Sequence, residues 1–222
     1  MDIRMLTVGP VQENCYLLRT GADADTALIV DPGDEPDRLL AAIAETGARL
    51  EAILLTHTHF DHIGAVAPVA RATGAPVWCP QLETRVLADI MSYVPWPGFG
   101  PFESWNAEHT VGGGEHLQLA GFDIDVLFTP GHSPGHVTYA FSVPGQEEAG
   151  TVLASGDVLF EGSIGRTDLP GGDLATLLRS IAGLAERYDD ETPVLPGHMG
   201  VTTIGRERAT NPFLQDLPAA SA

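Results

Sequence analysis

Four apolar, strand-like runs in this chain end on the same kind of residue. "AILLT" leads into His57, "VLFTPG" into His132, "TVLASG" into Asp157 and "TPVLPG" into His198. Side chains that close separate strands on one edge of a sheet converge in space, however far apart they lie in the chain, and that rim is where layered sheet folds build sites. The pattern restricts the chain to a sheet protein that delivers metal-ligand side chains to a common edge.

Apolar or alternating runs predict strands over 26–31, 51–56, 122–129, 136–143, 151–155 and 192–195. Between them, the spacing predicts helices over 35–47, 63–74, 81–91 and 172–188. The last has Leu174, Leu177, Leu178, Ile181 and Leu184 on one stripe with Asp173 as N-cap, and Gly ends two of the others. Strands alternating with helices give an α/β or α+β layered fold. With 44% hydrophobic residues and only 18% charged, residues 1–222 read as one ordered domain, disorder being expected only in the tail "LPAASA".

Charge excludes several functions. The chain carries 30 acidic residues against 11 basic ones, a formal charge of -19, and all 11 are arginine. Without lysine there is neither a Schiff-base amine nor the phosphate-binding lysine of a P-loop. An acidic surface repels polyanions, so neither nucleic acid nor anionic lipid is an expected partner. The start has an acid at position 2 and no apolar signal core, and no run of ~18 apolar residues could span a bilayer, so a soluble, cytoplasmic protein is expected. Cys15, in the strand-like "NCYLL", and Cys79 read as buried, reduced thiols.

The densest feature is "THTHFDHIGA". In an extended segment side chains alternate, so His57 and His59 point the same way with Thr58 turned aside. Asp61 and His62 come where the chain turns toward a helix and face elsewhere, so one motif can feed two ions. One allotment gives His57, His59 and His132 to the first ion, Asp61, His62 and His198 to the second, and Asp157 as a bridge; imidazole and carboxylate suit zinc first, with iron or manganese as options. Two divalent ions ~3.5–4 Å apart would hold a hydroxide that attacks a polarised carbonyl, which is hydrolysis without a protein nucleophile, and Asp61 would orient it. Any one of these histidines alone would be an ordinary strand-end residue, and Asp157 alone a cap or turn residue. Four such groups in six positions are costly to a fold without a compensating cation. Five of the eight histidines belong to this set. Of the others, His109 and His116 read as solvated loop residues and His136 as a group behind His132. Asp31 in "VDPGDE" reads as structural, bonding the turn it precedes.

"THTHFDHIGA", "TPGHSPGH", "SGDVLF" and "LPGH", in that order, resemble the metallo-β-lactamase superfamily, and within it the glyoxalase II-like (hydroxyacylglutathione) hydrolases. The resemblance runs from "QENCYLL" to "ERATNPFL" and implies an α+β, four-layer αβ/βα sandwich. It also implies the same seven ligand positions and a small-molecule thioester substrate such as S-lactoylglutathione. By the same resemblance Arg166, in "GSIGRTDLPGGD", contacts the substrate; it could equally pair with Asp168 to pin its loop. Glyoxalase II proper continues into a helical domain, whereas 24 residues follow His198 here, which puts glutathione specificity in question. Those residues read as a short helix whose Arg206 and Arg208 form salt bridges or reach the site. The aromatic segment 91–105, with Tyr93, Trp96, Phe99, Phe102 and Trp105, reads as a wall of the cleft, as a loop packed on itself, or as an oligomer contact. The rival activity within the superfamily is a persulfide dioxygenase using one iron on His57, His132 and Asp157.

Overall fold

Period-two patterning sorts strand side chains between two faces, and here both faces are apolar. The computed structural model describes residues 1–146 and 150–215; the expected disordered tail (217–222) lies outside the described residues. One six-stranded sheet runs β1 (Asp2–Val8), β2 (Glu13–Arg19), β3 (Thr26–Val30), β4 (Arg49–Leu54), β5 (Val77–Pro80) and β6 (His109–Val111). The other, in spatial order, runs β14 (Thr202–Thr203), β13 (Pro193–Pro196), β10 (Val152–Gly156), β9 (Val137–Ser142), β8 (Phe122–Phe128) and β7 (His116–Leu119). A small hairpin of β11 (Leu159–Phe160) and β12 (Ser163–Ile164) lies beside them.

Alternation decides the layers. On β3, Leu28 and Val30 join Ala52 and Leu54 of β4 in a cluster with Ile124, Val126, Tyr139 and Phe141 of the facing sheet. Ala27, Ile29 and Ile53 point the other way, onto Leu39 and Ile43 of α1 (Pro36–Thr46) and Val66 and Val69 of α3 (Val66–Thr73). On the far side Leu153 and Val194 meet Leu177, Ile181 and Leu184 of α5 (Leu174–Arg187). The result is helix, sheet, sheet, helix: the expected α+β four-layer sandwich. Among the described residues no helix is long and apolar enough to cross a membrane.

Local signals account for most helix ends. Asp173 caps α5 by accepting from Thr176 N at 2.7 Å, and Gly47 and Gly74 close α1 and α3 with positive φ. The five-residue stripe on α5 is narrower than expected: Leu177, Ile181 and Leu184 are buried, but Leu174 in the first turn is exposed. Residues 63–74 divide into α2 (Phe60–Ile63) and α3, so Asp61 and His62 sit within a helical turn rather than ahead of it. Residues 81–91 do not form one helix. A 3₁₀ turn (Gln81–Glu83) leads into α4 (Thr84–Leu87), because Glu83 is drawn inward by bonds to other loops. His109 and His116 open strands β6 and β7 instead of lying in loops; His109 stacks on Trp78 and His116 lies between Asp123 and Asp125.

The two sheets are fastened at one edge. Asn14 N and Tyr16 Oη of β2 donate to Gly197 O and Pro196 O, at 2.7 and 2.8 Å, while Val137 N and Tyr139 Oη of β9 donate to Thr56 O and Leu55 O, both at 2.9 Å. Two of these segments carry strand-end residues, Leu55–Thr56 leading into His57 and Pro196–Gly197 into His198.

Candidate metal centre

All seven residues expected at the centre come together at that edge. Nε2 of His57 and of His132 are 3.2 Å apart, and His59 Nδ1 lies 3.1 Å from the first and 2.7 Å from the second. Next to this trio, His198 Nε2 is 3.4 Å and His62 Nε2 3.9 Å from Asp61 Oδ2. Asp157 joins the two groups: Oδ1 is 3.3 Å from His62 Nε2, and Oδ2 is 3.5 Å from His132 Nε2 and 3.6 Å from His198 Nε2. Close approach is secured by glycine, since a Cβ at Gly197 would fall 2.3 Å from Asp157 Oδ1 and 2.6 Å from His62 Cε1.

The outward nitrogens fix the tautomers. His132 Nδ1 faces Arg166 O at 2.8 Å and His198 Nδ1 faces Gln12 O at 3.2 Å. A carbonyl only accepts, so both Nδ1 atoms carry the proton. His62 Nδ1 likewise donates to Asp31 Oδ2 at 3.0 Å. The Thr56 hydroxyl donates to Asp31 Oδ2 at 2.6 Å and so accepts from His57 Nδ1 at 3.1 Å. Four imidazoles therefore keep an Nδ1 proton on the outward side and turn Nε2 toward the interior. In the trio at most one proton, on His59, serves three mutual contacts. Lone pairs gathered this tightly repel one another unless a cation lies among them. Their spacing is close to the ~3.3 Å expected of tetrahedral nitrogens about 2.0–2.1 Å from one ion.

Electrostatics point the same way. Burial holds His57 well below its usual pKa and brings His59 down to about 4, the neighbouring histidines adding to the effect. Burial works against charge on Asp157, but His62 and His132 outweigh it and keep the carboxyl far below its ordinary range. Burial is likewise outweighed at Asp61, lowered by His198 and His62, and at His198, raised by Asp61 and Asp157. Among the described residues, four of six buried side-chain polar atoms without a hydrogen bond belong here: His62 Nε2, Asp157 Oδ1 and both oxygens of Glu13. Native folds rarely leave such atoms unmatched. A divalent cation would satisfy the first two, so the residues fit a metal group.

Three supporting residues were misread or missed in the sequence. Asp31 is buried at positive φ and does more than bond its turn: it takes Thr56 N (2.7 Å), Thr56 Oγ1 and His62 Nδ1, so one carboxylate orients histidines in both halves. Its turn-like surroundings "VDPGD" masked this role. His136 sits behind Asp157 rather than behind His132. Its Nε2 accepts from Asp157 N at 3.1 Å, and its ring stacks on His57. Glu83 accepts from Thr58 N (2.7 Å), Thr58 Oγ1 (2.8 Å), Ser133 Oγ and Gly135 N (2.8 Å), tying the "HTH" loop to the "GHSPGH" loop. No local pattern announces these pairings.

The centre forms the floor of a cleft of about 650 Å³. Arg166 makes the bidentate pair with Asp168, at 2.7 Å, that one reading expected, and it also lines the cleft, its guanidinium 5.6 Å from the Trp96 ring centroid. The aromatic segment divides its work. Tyr93 and Trp96 face the cleft, while Phe99 and Phe102 pack on Phe60 and Trp105 joins the first core. Arg206 and Arg208, on α6 (Ile204–Thr210), pair with Glu161 and Asp190 and do not line the cleft. Cys15 and Cys79 are buried free thiols.

Known proteins place this arrangement. The Metallo-beta-lactamase superfamily matches residues 8–198. Hydroxyacylglutathione hydrolase GloC of Haemophilus influenzae is 37% identical over 221 residues, covering 96% of this chain and 98% of that protein. The crystal structure of BLEG-1 B3 metallo-beta-lactamase superposes with a TM-score of 0.87 at 40% identity, covering 96% of this chain and 100% of that one. That of TTHA1623 in a di-iron-bound form gives 0.79 at 44% identity, over 95% and 100%. The chain belongs to the Metallo-beta-lactamase superfamily.

Proposed function

We propose that the protein is a dinuclear metal-dependent hydrolase of small thioesters. The observation that carries this reading is the set of inward-facing imidazole nitrogens gathered at two adjacent points, with the Asp157 carboxylate between them. Similarity to a hydroxyacylglutathione hydrolase supports the reaction class, and similarity to a structure described as di-iron-bound supports a pair of ions. Divalent ions there would supply Lewis acidity and lower the pKa of water.

The chain's own groups do the rest. His57, His59 and His132 would hold one ion, Asp61, His62 and His198 the other, and Asp157 both. Asp61, ionised and only partly buried, faces the cleft and would accept a hydrogen bond at Oδ from the attacking water, orienting it toward the substrate. A thiolate leaves without a strong acid because thiol pKa values lie near 8.5. Arg166 and Trp96 flank the approach to the floor. Purified, metal-loaded protein is expected to hydrolyse S-lactoylglutathione or simpler thioesters, followed by thiol release; failure on all of them with two ions bound would refute the reading. His57, His132 and Asp157 also lie together, the set a one-iron persulfide dioxygenase would use. Oxygen uptake with glutathione persulfide by protein holding one iron per chain would favour that rival.

A further inference from the structure

The turn formed by Gln81–Glu83 and α4 is a cleft wall fixed directly to the candidate metal loops. The four bonds of the buried Glu83 carboxylate hold it against Thr58, Ser133 and Gly135. Leu82, Arg85 and Val86, which line the cleft, are thereby set at a defined place relative to His59 and His132. Arg85 differs in its bonding from the rest of its kind. Nine arginines form ion pairs, and Arg179 bonds Thr176. Arg85 alone, among the described residues, makes neither an ion pair nor a side-chain hydrogen bond, in a chain with 30 acids to 11 arginines. An open guanidinium is a fitting partner for a carboxylate, whereas the neighbouring Arg166 is already engaged by Asp168.

The rest of the wall bears on the body of the ligand. Besides Arg85, the cleft lining includes Val86, Tyr93, Trp96, Phe160, Ile164 and Met199, and its exposed surface is mostly apolar. Amides set against that apolar surface would lose water without full exchange, while an apolar arm would lose nothing. We propose that Arg85 is a specificity residue that anchors the carboxylate of a thioester whose body is apolar. This rests on the thioester reading and narrows its substrate class.

The test compares matched thioesters that end in a carboxylate or in the corresponding primary amide, placed either on the thiol arm or on a six-carbon acyl arm. Metal-loaded wild type is expected to favour the carboxylate of at least one pair by about tenfold in kcat/KM. Arg85→Gln is expected to bring that ratio close to one, and Arg179→Gln, on the far helix, to leave it in place. A ratio is insensitive to partial loss of folded protein. Equal use of acid and amide by wild type, or a preference that survives Arg85→Gln, would overturn the proposal. If wild type hydrolyses none of these esters, the thioester reading fails separately. Calorimetric binding of the uncleavable thioether acids and amides still decides the role of Arg85, with the same tenfold loss expected in Arg85→Gln and an unchanged affinity contradicting it.

Discussion

The two halves of the candidate centre are made of different materials. His57, His59 and His132 supply imidazoles only, and burial keeps His57 and His59 unprotonated. Across Asp157, the second half contains a carboxylate of its own, Asp61, and has Asp31 and Glu13 behind His62, at 3.0 and 3.8 Å from its Nδ1. Burial disfavours a charged His62, yet Asp157 and the other acids raise its pKa well above the usual value. The first half thus relies on Asp157 for any charge to balance a cation, while the second has its own. An ion in the neutral half should follow nitrogen affinity, and one in the acidic half should accept harder metals.

Asp157 is the one residue both halves share, so it offers the strongest test of the comparison. Asp157→Ala is expected to lower kcat/KM at least about a thousandfold and to reduce metal content below two ions per chain, read by elemental analysis. Full metal content with lost activity would show that Asp157 does not bridge. Asp61→Asn should separate the halves: one ion retained, the second lost on gel filtration, and activity down about a hundredfold. Loss of both ions would mean the halves are not independent. Asp31→Asn keeps the shape but removes the charge that orients His62, and a 10- to 100-fold weaker second ion is expected, measured by competition with a chelator. An unchanged affinity would reduce Asp31 to the turn residue its sequence suggests.

The smallest effect is on stability of the metal-free protein. His57, His59 and His136 stay neutral in the fold, whereas the unfolded chain protonates them below about pH 6.5. Stability from these groups therefore falls as pH drops from about 6.5 toward 4. The raised His62 and His198 already contribute fully below about 6.5 and add no slope there. Burial holds a proton on Glu13 that the unfolded chain releases above about pH 4.5, which offsets one of the three. The urea midpoint is expected to fall between pH 6.5 and 5; a rise would contradict the assignment of neutral buried imidazoles.

How much of this was legible in the sequence depends on the range of the cause. The four strand-end residues were legible because each follows an apolar run, a local pattern that places a side chain at a sheet edge, and His59, Asp61 and His62 because they crowd directly behind the first of them. The caps at Asp173, Gly47 and Gly74 were legible for the same reason. Asp31, Glu13, Glu83 and His136 act through partners 21 to 52 positions away, and no spacing rule reports such pairs. The 81–91 segment carries a helical hydrophobic period, yet the inward pull on Glu83 breaks it into turns. Leu174 satisfies the α5 stripe in sequence but lies at the first turn, beyond the sheet it would cover.

The central claim is that two cations share one carboxylate at this edge. Its most direct test is the number and position of ions in fully loaded crystals, located by anomalous scattering at the metal edge. The expected result is two ions per chain, one among His57, His59 and His132, the other among Asp61, His62 and His198, and both in contact with Asp157. A single ion at full occupancy, with the other set of side chains left without one, would contradict it.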